Sequence, residues 1–172
     1  MPSPETIETR LFEDDGATPN NPVLPLVVMR GTAASDADDP AAWFERTFAE
    51  NGWGGLWRWS VYPYHHFHTE NHEVLGVSSG TATLKLGGES GAEFQVGVGD
   101  VIVIPAGVGH KRQQASEDFQ VVGAYPGGGA PDLLRTAGED AESVRQRISE
   151  VPLPENDPVY GAGGPLFEHW RG

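Results

Sequence analysis

The sequence predicts an all-β domain, a sandwich or barrel built from short strands. Two observations carry this. Glycine (23) and proline (14) cut the 172 residues at short intervals, with β-rich runs between the cuts. The run Val101-Ile102-Val103-Ile104 is apolar at every position, so both of its faces must be covered. A two-layer barrel does that.

In chain order, residues 1–22 read as extended and irregular, closing with the turn-like Pro19-Asn20-Asn21-Pro22. Leu24 to Arg30 reads as a strand, with Pro25 marking an edge or a strand start. One helix interrupts: Asp39 suits the N-cap, Pro40 the first helical position, and Asn51-Gly52 the stop. Phe44 and Phe48 share a face with Ala41, expected to pack on the outside of the sheet. From Gly55 onward strands are expected at Leu56–Tyr62, Tyr64–His68, Glu73–Ser78, Thr81–Leu86, Ala92–Val98, Val101–Ile104 and Phe119–Ala124. Turns fall at Ser79-Gly80, Gly87 to Gly91 and Gly99-Asp100. A second helix is expected over Glu139–Glu150, where Ala141, Val144 and Ile148 have helical spacing and Pro152 and Pro154 end the run. The last 20 residues read as an extended tail with Phe167 and Trp170, which either closes the barrel mouth or coats its wall. No repeat, heptad or low-complexity tract is present.

The length suits one domain that buries roughly 70% of its unfolded surface, and is short for two. Lys and Arg number 11 against 25 Asp and Glu, a formal net charge of −14. Such a field repels phosphate backbones and anionic bilayers, so neither nucleic acid nor membrane is an expected partner. Cysteine is absent, which excludes disulfides and thiolate ligands and fits a reducing compartment. Met1-Pro2-Ser3-Pro4-Glu5 shows no basic patch leading into an apolar run, and the apolar stretches fall far short of the roughly 20 residues that span a bilayer. A cytoplasmic location is the expectation.

Five of the six histidines fall in two places, His65 to His72 and His110. Alternate side chains of a strand share a face, so His66 and His68 point the same way. A carboxylate five residues after His68 and a histidine from a distant strand would complete the set a divalent metal needs. His72 and Glu73 are neighbours, so only one of them points inward.

These two segments resemble the paired motifs of the cupin superfamily. The first motif of that family is a glycine, five residues, His-x-His, three or four residues, Glu, six residues and a glycine. Here His66-Phe67-His68 is followed by four residues, Glu73, six more and Gly80. The second motif sets Gly99, Pro105, Gly107 and His110 in register. Ser60 stands in place of the first glycine and Gln114 in place of the usual Asn; neither position supplies a ligand. The motifs span residues 60 to 114, about a third of the chain. The wider sequence is similar to uncharacterised bacterial single-domain cupins at Asn20-Asn21-Pro22, Asn51 to Gly55, His72 to Val77, Pro105 to Lys111 and Val121 to Pro126, a likeness that brings no settled substrate. The resemblance implies a single domain over 1–172 with a double-stranded β-helix (jelly-roll barrel) core at about 24–126. Motif 1 covers 60–80, motif 2 covers 99–114, and a C-terminal helix and tail cover 138–172.

The family pattern makes His66, His68, Glu73 and His110 the ligands of one divalent transition metal per chain (Fe, Mn, Zn, Ni or Cu), with one or two positions left open. Spacing favours Glu73 over His72, which is the alternative ligand or a partner orienting a carboxylate. His65 is expected to point away. Tyr64 should share the face of His66 and act as a proton or hydrogen-bond donor. Arg58 would be in phase too if Pro63 introduces no bulge, and would pair with a substrate carboxylate. Trp57 and Trp59 read as core, Trp53 as a candidate for the pocket mouth, and Lys111 and Arg112 as surface. The implied function is a metal-dependent enzyme acting on a small polar organic molecule, dioxygenase-like rather than an isomerase. The alternative is a non-catalytic small-molecule or metal-binding module. A homodimer through the Leu24–Arg30 strand is the expected assembly.

Overall fold

The computed structural model describes residues 4–171. Among the described residues, nine strands form two antiparallel sheets. The larger holds β1 (Thr6–Arg10), β2 (Leu26–Arg30), β3 (Trp53–Trp59), β4 (Glu73–Ser79), β7 (Val101–Ile104) and β9 (Gln120–Pro126), in the order β1-β2-β7-β4-β9-β3. The smaller holds β5 (Thr81–Leu86), β6 (Ala92–Gly97) and β8 (His110–Ala115), in the order β6-β5-β8. Two helices, α1 (Pro40–Glu50) and α2 (Ala141–Ser149), lie at the periphery. The all-β jelly roll read from the sequence is the observed architecture.

The larger sheet is apolar on both faces, and the pleat sorts its residues between two cores. Leu26, Val28, Leu75, Val77, Ile102, Ile104 and Val121 point inward, against Ala82, Leu84, Leu86 and Val96 of the smaller sheet. Their alternates Val27, Met29, Val74, Val101, Val103, Val122 and Ala124 point outward under Phe44 and Phe48 of α1 and Leu166 and Trp170 of the tail. This double coverage explains the unbroken apolar run of β7. Asp39 caps α1 as expected, its side chain accepting from Ala42 N.

Several elements differ from the sequence reading. The N-terminal segment is not wholly irregular: Thr6–Arg10 pairs with β2. That pairing makes β1 the edge strand, while β2 is bonded on both sides, to β1 and β7, with Pro25 just ahead of it. A neighbour could not add to β2. The segment after His110 forms β8 on β5; its polar sequence hid it, because only one side of this edge strand meets the core. β3 begins and ends earlier than expected, and Tyr64–His68 makes isolated bridges, His66 to His110 and Phe67 to Leu134, rather than a strand. The tail coats the outer wall: the Trp170 Nε1–H donates to Pro25 O at 2.7 Å. Trp53 is buried in the outer core with its Nε1–H on Asn156 O, not at a pocket mouth.

Candidate metal centre

His66, His68 and Glu73 reach one point because three local features agree. Phe67 turns outward into a third apolar cluster with Ala106, Val144 and Ile148, so its two neighbours turn inward. Backbone pairing of His66 N with His110 O, and of His110 N with His66 O, brings the two motifs together. Glu73, first residue of β4, sits opposite Ile104 of β7 and shares the inward phase of Leu75 and Val77.

The ligand atoms of His66, His68 and His110 lie within 4.8 Å of one another, all buried. Glu73 Oε1 stands 3.2 Å from His110 Nε2 and 3.6 Å from His68 Nε2. Each imidazole directs Nδ1 to a backbone carbonyl: His66 to Tyr64 O, His110 to Val108 O, and His68 to Asp132 O. A carbonyl only accepts, so these contacts place a proton on Nδ1 of each ring, and Nε2 of His68 and of His110 faces Glu73. Burial pushes the His66 pKa down to about 2, helped by neighbouring His110. Burial acts to lower His68 as well, but the Glu73 carboxylate overrides it and raises that group. Burial acts to raise Glu73, yet His110 and His68 hold it well below the usual carboxylate range.

His110 Nε2 is buried and makes no directed hydrogen bond, despite the nearby Oε1. Imidazole nitrogens and a carboxylate packed this closely in a dry site need positive charge among them, a proton on Nε2 or a bound cation. The donor set therefore fits a divalent transition metal.

His72 faces the opposite way. Its Nδ1 accepts from Ala106 N at 2.9 Å, its Nε2 meets Pro152 O at 3.1 Å, and its ring packs on Trp170. Neither nitrogen is left for a metal. His65 also points away, to Glu89 at 2.7 Å. Arg58 lies on the outer face of β3, in an ion pair with Glu45 of α1 at 2.6 Å, far from any role in the site. The phase argument across Pro63 fails because residues 60–65 are not a strand. Tyr64 packs beside His66 and beneath Arg135 but does not line the cavity.

The cavity above the four side chains has a volume of about 260 Å³. Trp57, Trp59, Ser60, Val61, Tyr62, Leu75, Tyr125, Pro131 and Leu133 form its walls. Trp57 and Trp59 both line the cavity; Trp57 also packs against the inner core, as expected, whereas Trp59 is 50% exposed. Tyr125 is the residue that sequence reasoning missed. Its hydroxyl accepts from Trp57 Nε1–H at 2.9 Å, and burial together with Glu73 raises its pKa. The signal was present: Val121, Gly123 and Tyr125 alternate on one face of β9, but the expected strand stopped at Ala124. Gly123 makes room for the indole, since a Cβ there would stand 2.1 Å from the Trp57 ring.

Two sheets with a jelly-roll topology and a buried His/Glu cluster at the mouth define a class, and the chain belongs to the cupin superfamily. The cupin domain model matches residues 59–122. A full-length relative, "Uncharacterized protein YjlB" of Bacillus subtilis (strain 168), is 42% identical over 163 residues, covering 95% of this chain and 96% of its own. Likeness to solved structures is confined to the fold. RmlC from Streptococcus suis in complex with dTDP-D-xylose has 13% identity and a TM-score of 0.41, covering 98% of this chain and 95% of that one. Acireductone dioxygenase from Bacillus anthracis, with a cadmium ion in its active centre, has 20% identity and a TM-score of 0.37, covering 54% and 63%. No helix among the described residues is long and apolar enough to cross a membrane.

Proposed function

We propose that this cupin binds one divalent transition metal through His66, His68, Glu73 and His110 and uses it to transform a small organic molecule held in the aromatic cavity. The observation that carries this reading is the clustering of three buried imidazoles, two of them against the buried Glu73 carboxylate, with His110 Nε2 unpaired. When bound, the metal supplies Lewis acidity and, for a redox ion, a route to oxygen chemistry at one or two open positions.

The walls favour dioxygenase-like chemistry over acid–base isomerisation. A proton shift needs a base and an acid beside the substrate. With the four ligands committed, only Ser60, Tyr62 and Tyr125 remain as hydroxyls among the cavity-lining residues. The raised pKa of Tyr125 keeps it protonated, so it serves as a donor. Its oxygen accepts from Trp57, and its own O–H faces the Glu73 carboxylate on the cavity floor, where it can orient an oxygen of the substrate beside the metal. The donor role expected of Tyr64 passes to Tyr125. No lining residue is Lys or Arg, so an anionic substrate has no cationic partner beyond the metal. Trp57, Tyr62 and Leu75 suit an apolar or aromatic body whose oxygens face the floor. The volume equals about nine waters at roughly 30 Å³ each, the size of a one-ring molecule.

Elemental analysis of protein purified without a tag tests the assignment. Near one equivalent of metal per chain is expected, falling below a tenth in His110→Ala and in Glu73→Ala. Equal metal content in wild type and both variants would overturn it.

A further inference from the structure

The three imidazoles are not held alike. His66 and His110 send Nδ1 to carbonyls two residues back in their own segments, Tyr64 O and Val108 O. His68 instead sends Nδ1 to the carbonyl of Asp132, 64 residues further along the chain. Asp132 belongs to the connection between β9 and α2, which leaves β9 through Gly127-Gly128-Gly129. All three of those glycines have positive φ (74°, 79° and 107°), a conformation other residues adopt only with strain. The neighbours of Asp132, Pro131 and Leu133, line the cavity.

The Asp132 side chain is what fixes that carbonyl in place. Its Oδ1 accepts from Thr69 N at 2.9 Å and from Glu70 N at 3.3 Å, and its Oδ2 accepts from Thr69 Oγ1 at 2.5 Å. Thr69 is fully buried. The carboxylate therefore ties the connection to the two residues that follow His68, while its own carbonyl sets the orientation of the ring.

We propose that Asp132 is a positioning residue for His68, and that the 127–137 connection is a cavity wall through which occupancy and metal coordination are coupled. This rests on the metal assignment above. A molecule pressing on Pro131 or Leu133 shifts the carbonyl that orients a ligand. By linkage, metal bound at His68 favours the wall position shown here. Orienting partners of ligating histidines are typically worth about 10–100-fold in metal affinity.

The test compares wild type, Asp132→Ala and Asp132→Asn, loaded with Co(II) against a competing chelator and followed by visible absorption. Asp132→Ala should weaken Co(II) binding about 10–100-fold and alter its ligand-field spectrum. Asp132→Asn keeps an acceptor for both N–H groups and a donor for Thr69 Oγ1, so it should bind within a few-fold of wild type. A merely structural role would lower the melting temperature of metal-free Asp132→Ala while leaving its affinity and spectrum unchanged, and that result overturns the proposal. Equal loss in Asp132→Asn and Asp132→Ala also overturns the clamp geometry. Failure of wild type itself to bind Co(II) would instead remove the metal assignment.

Discussion

Replacing Gly123 by alanine places a methyl group where the Trp57 indole now lies. An ideal Cβ at this position stands 2.1 Å from Cε2 and Cζ2 of the ring, and ordinary contact begins near 3.4 Å, so one side must retreat by more than 1 Å. The backbone of β9 is fixed by ladders to β4 and β3 on its two sides. The indole, on edge strand β3 and half-buried, is the part that yields. Its retreat breaks the 2.9 Å bond from Nε1–H to the Tyr125 hydroxyl. Overpacking costs about 1–3 kcal/mol and the lost hydrogen bond about 1 kcal/mol. At about 2–4 °C per kcal/mol for a chain of this size, the melting temperature should fall by roughly 5–15 °C. Thermal unfolding by circular dichroism measures this, and a Trp57→Ala background isolates the cause. There the methyl group enters vacated space, and Gly123→Ala should cost under about 1 kcal/mol. Equal cost in both backgrounds would refute the steric argument and with it the assignment of Gly123 as the residue that admits the indole to the cavity wall.

Two further outcomes follow from the outer wall. Burial pushes the His72 pKa down to about 4, against an ordinary value of 6.5. The unfolded chain therefore takes up this proton first, so the stability tied to His72 is whole above pH 6.5 and falls by roughly 3 kcal/mol as pH drops to about 4. Urea unfolding at pH 7 and 4.5 should show a smaller acid loss in His72→Gln than in wild type, and identical losses would exclude His72 as a source. Trp170→Ala removes a fully buried indole with its bond to Pro25 O. The urea midpoint should fall by the equivalent of about 3–5 kcal/mol, and a change below about 1 kcal/mol would show that the tail does not hold the outer core.

Strands β4 to β7 were legible because apolar runs, alternating in β5 and β6 and unbroken in β7, coincide with glycine turns, as at Ser79-Gly80 and Gly99-Asp100. Strands β1 and β8 were not, since Thr6–Arg10 and His110–Ala115 lie at sheet edges where most side chains face water. The spacing singled out the histidines and Glu73 as candidates, and the fold brings them near one another. The cavity walls were harder. Aromatic residues before the first motif suit a core and a pocket equally, and composition cannot separate Trp57 from Trp53. Arg58 was misplaced because periodicity was carried through Pro63, across a stretch that is not extended. Tyr125 was lost to a strand boundary two residues too early.

The pairing of β4 with β7, Glu73 opposite Ile104 and Val74 opposite Val103, has a consequence for how the chain matures. A slip of one residue reverses every side chain of β4. Glu73 would then be driven against the phenyl rings of α1 without a partner, and Val74 would occupy its place beside the histidines. A buried, unpaired carboxylate is among the most expensive errors a core can hold. The charge placed at the candidate site thus also polices the sheet, so that the slipped isomer is unstable and lacks the proposed ligand set. Ladders that join residues this far apart form slowly, and a penalty of that size lets the wrong pairing dissolve before it is locked in.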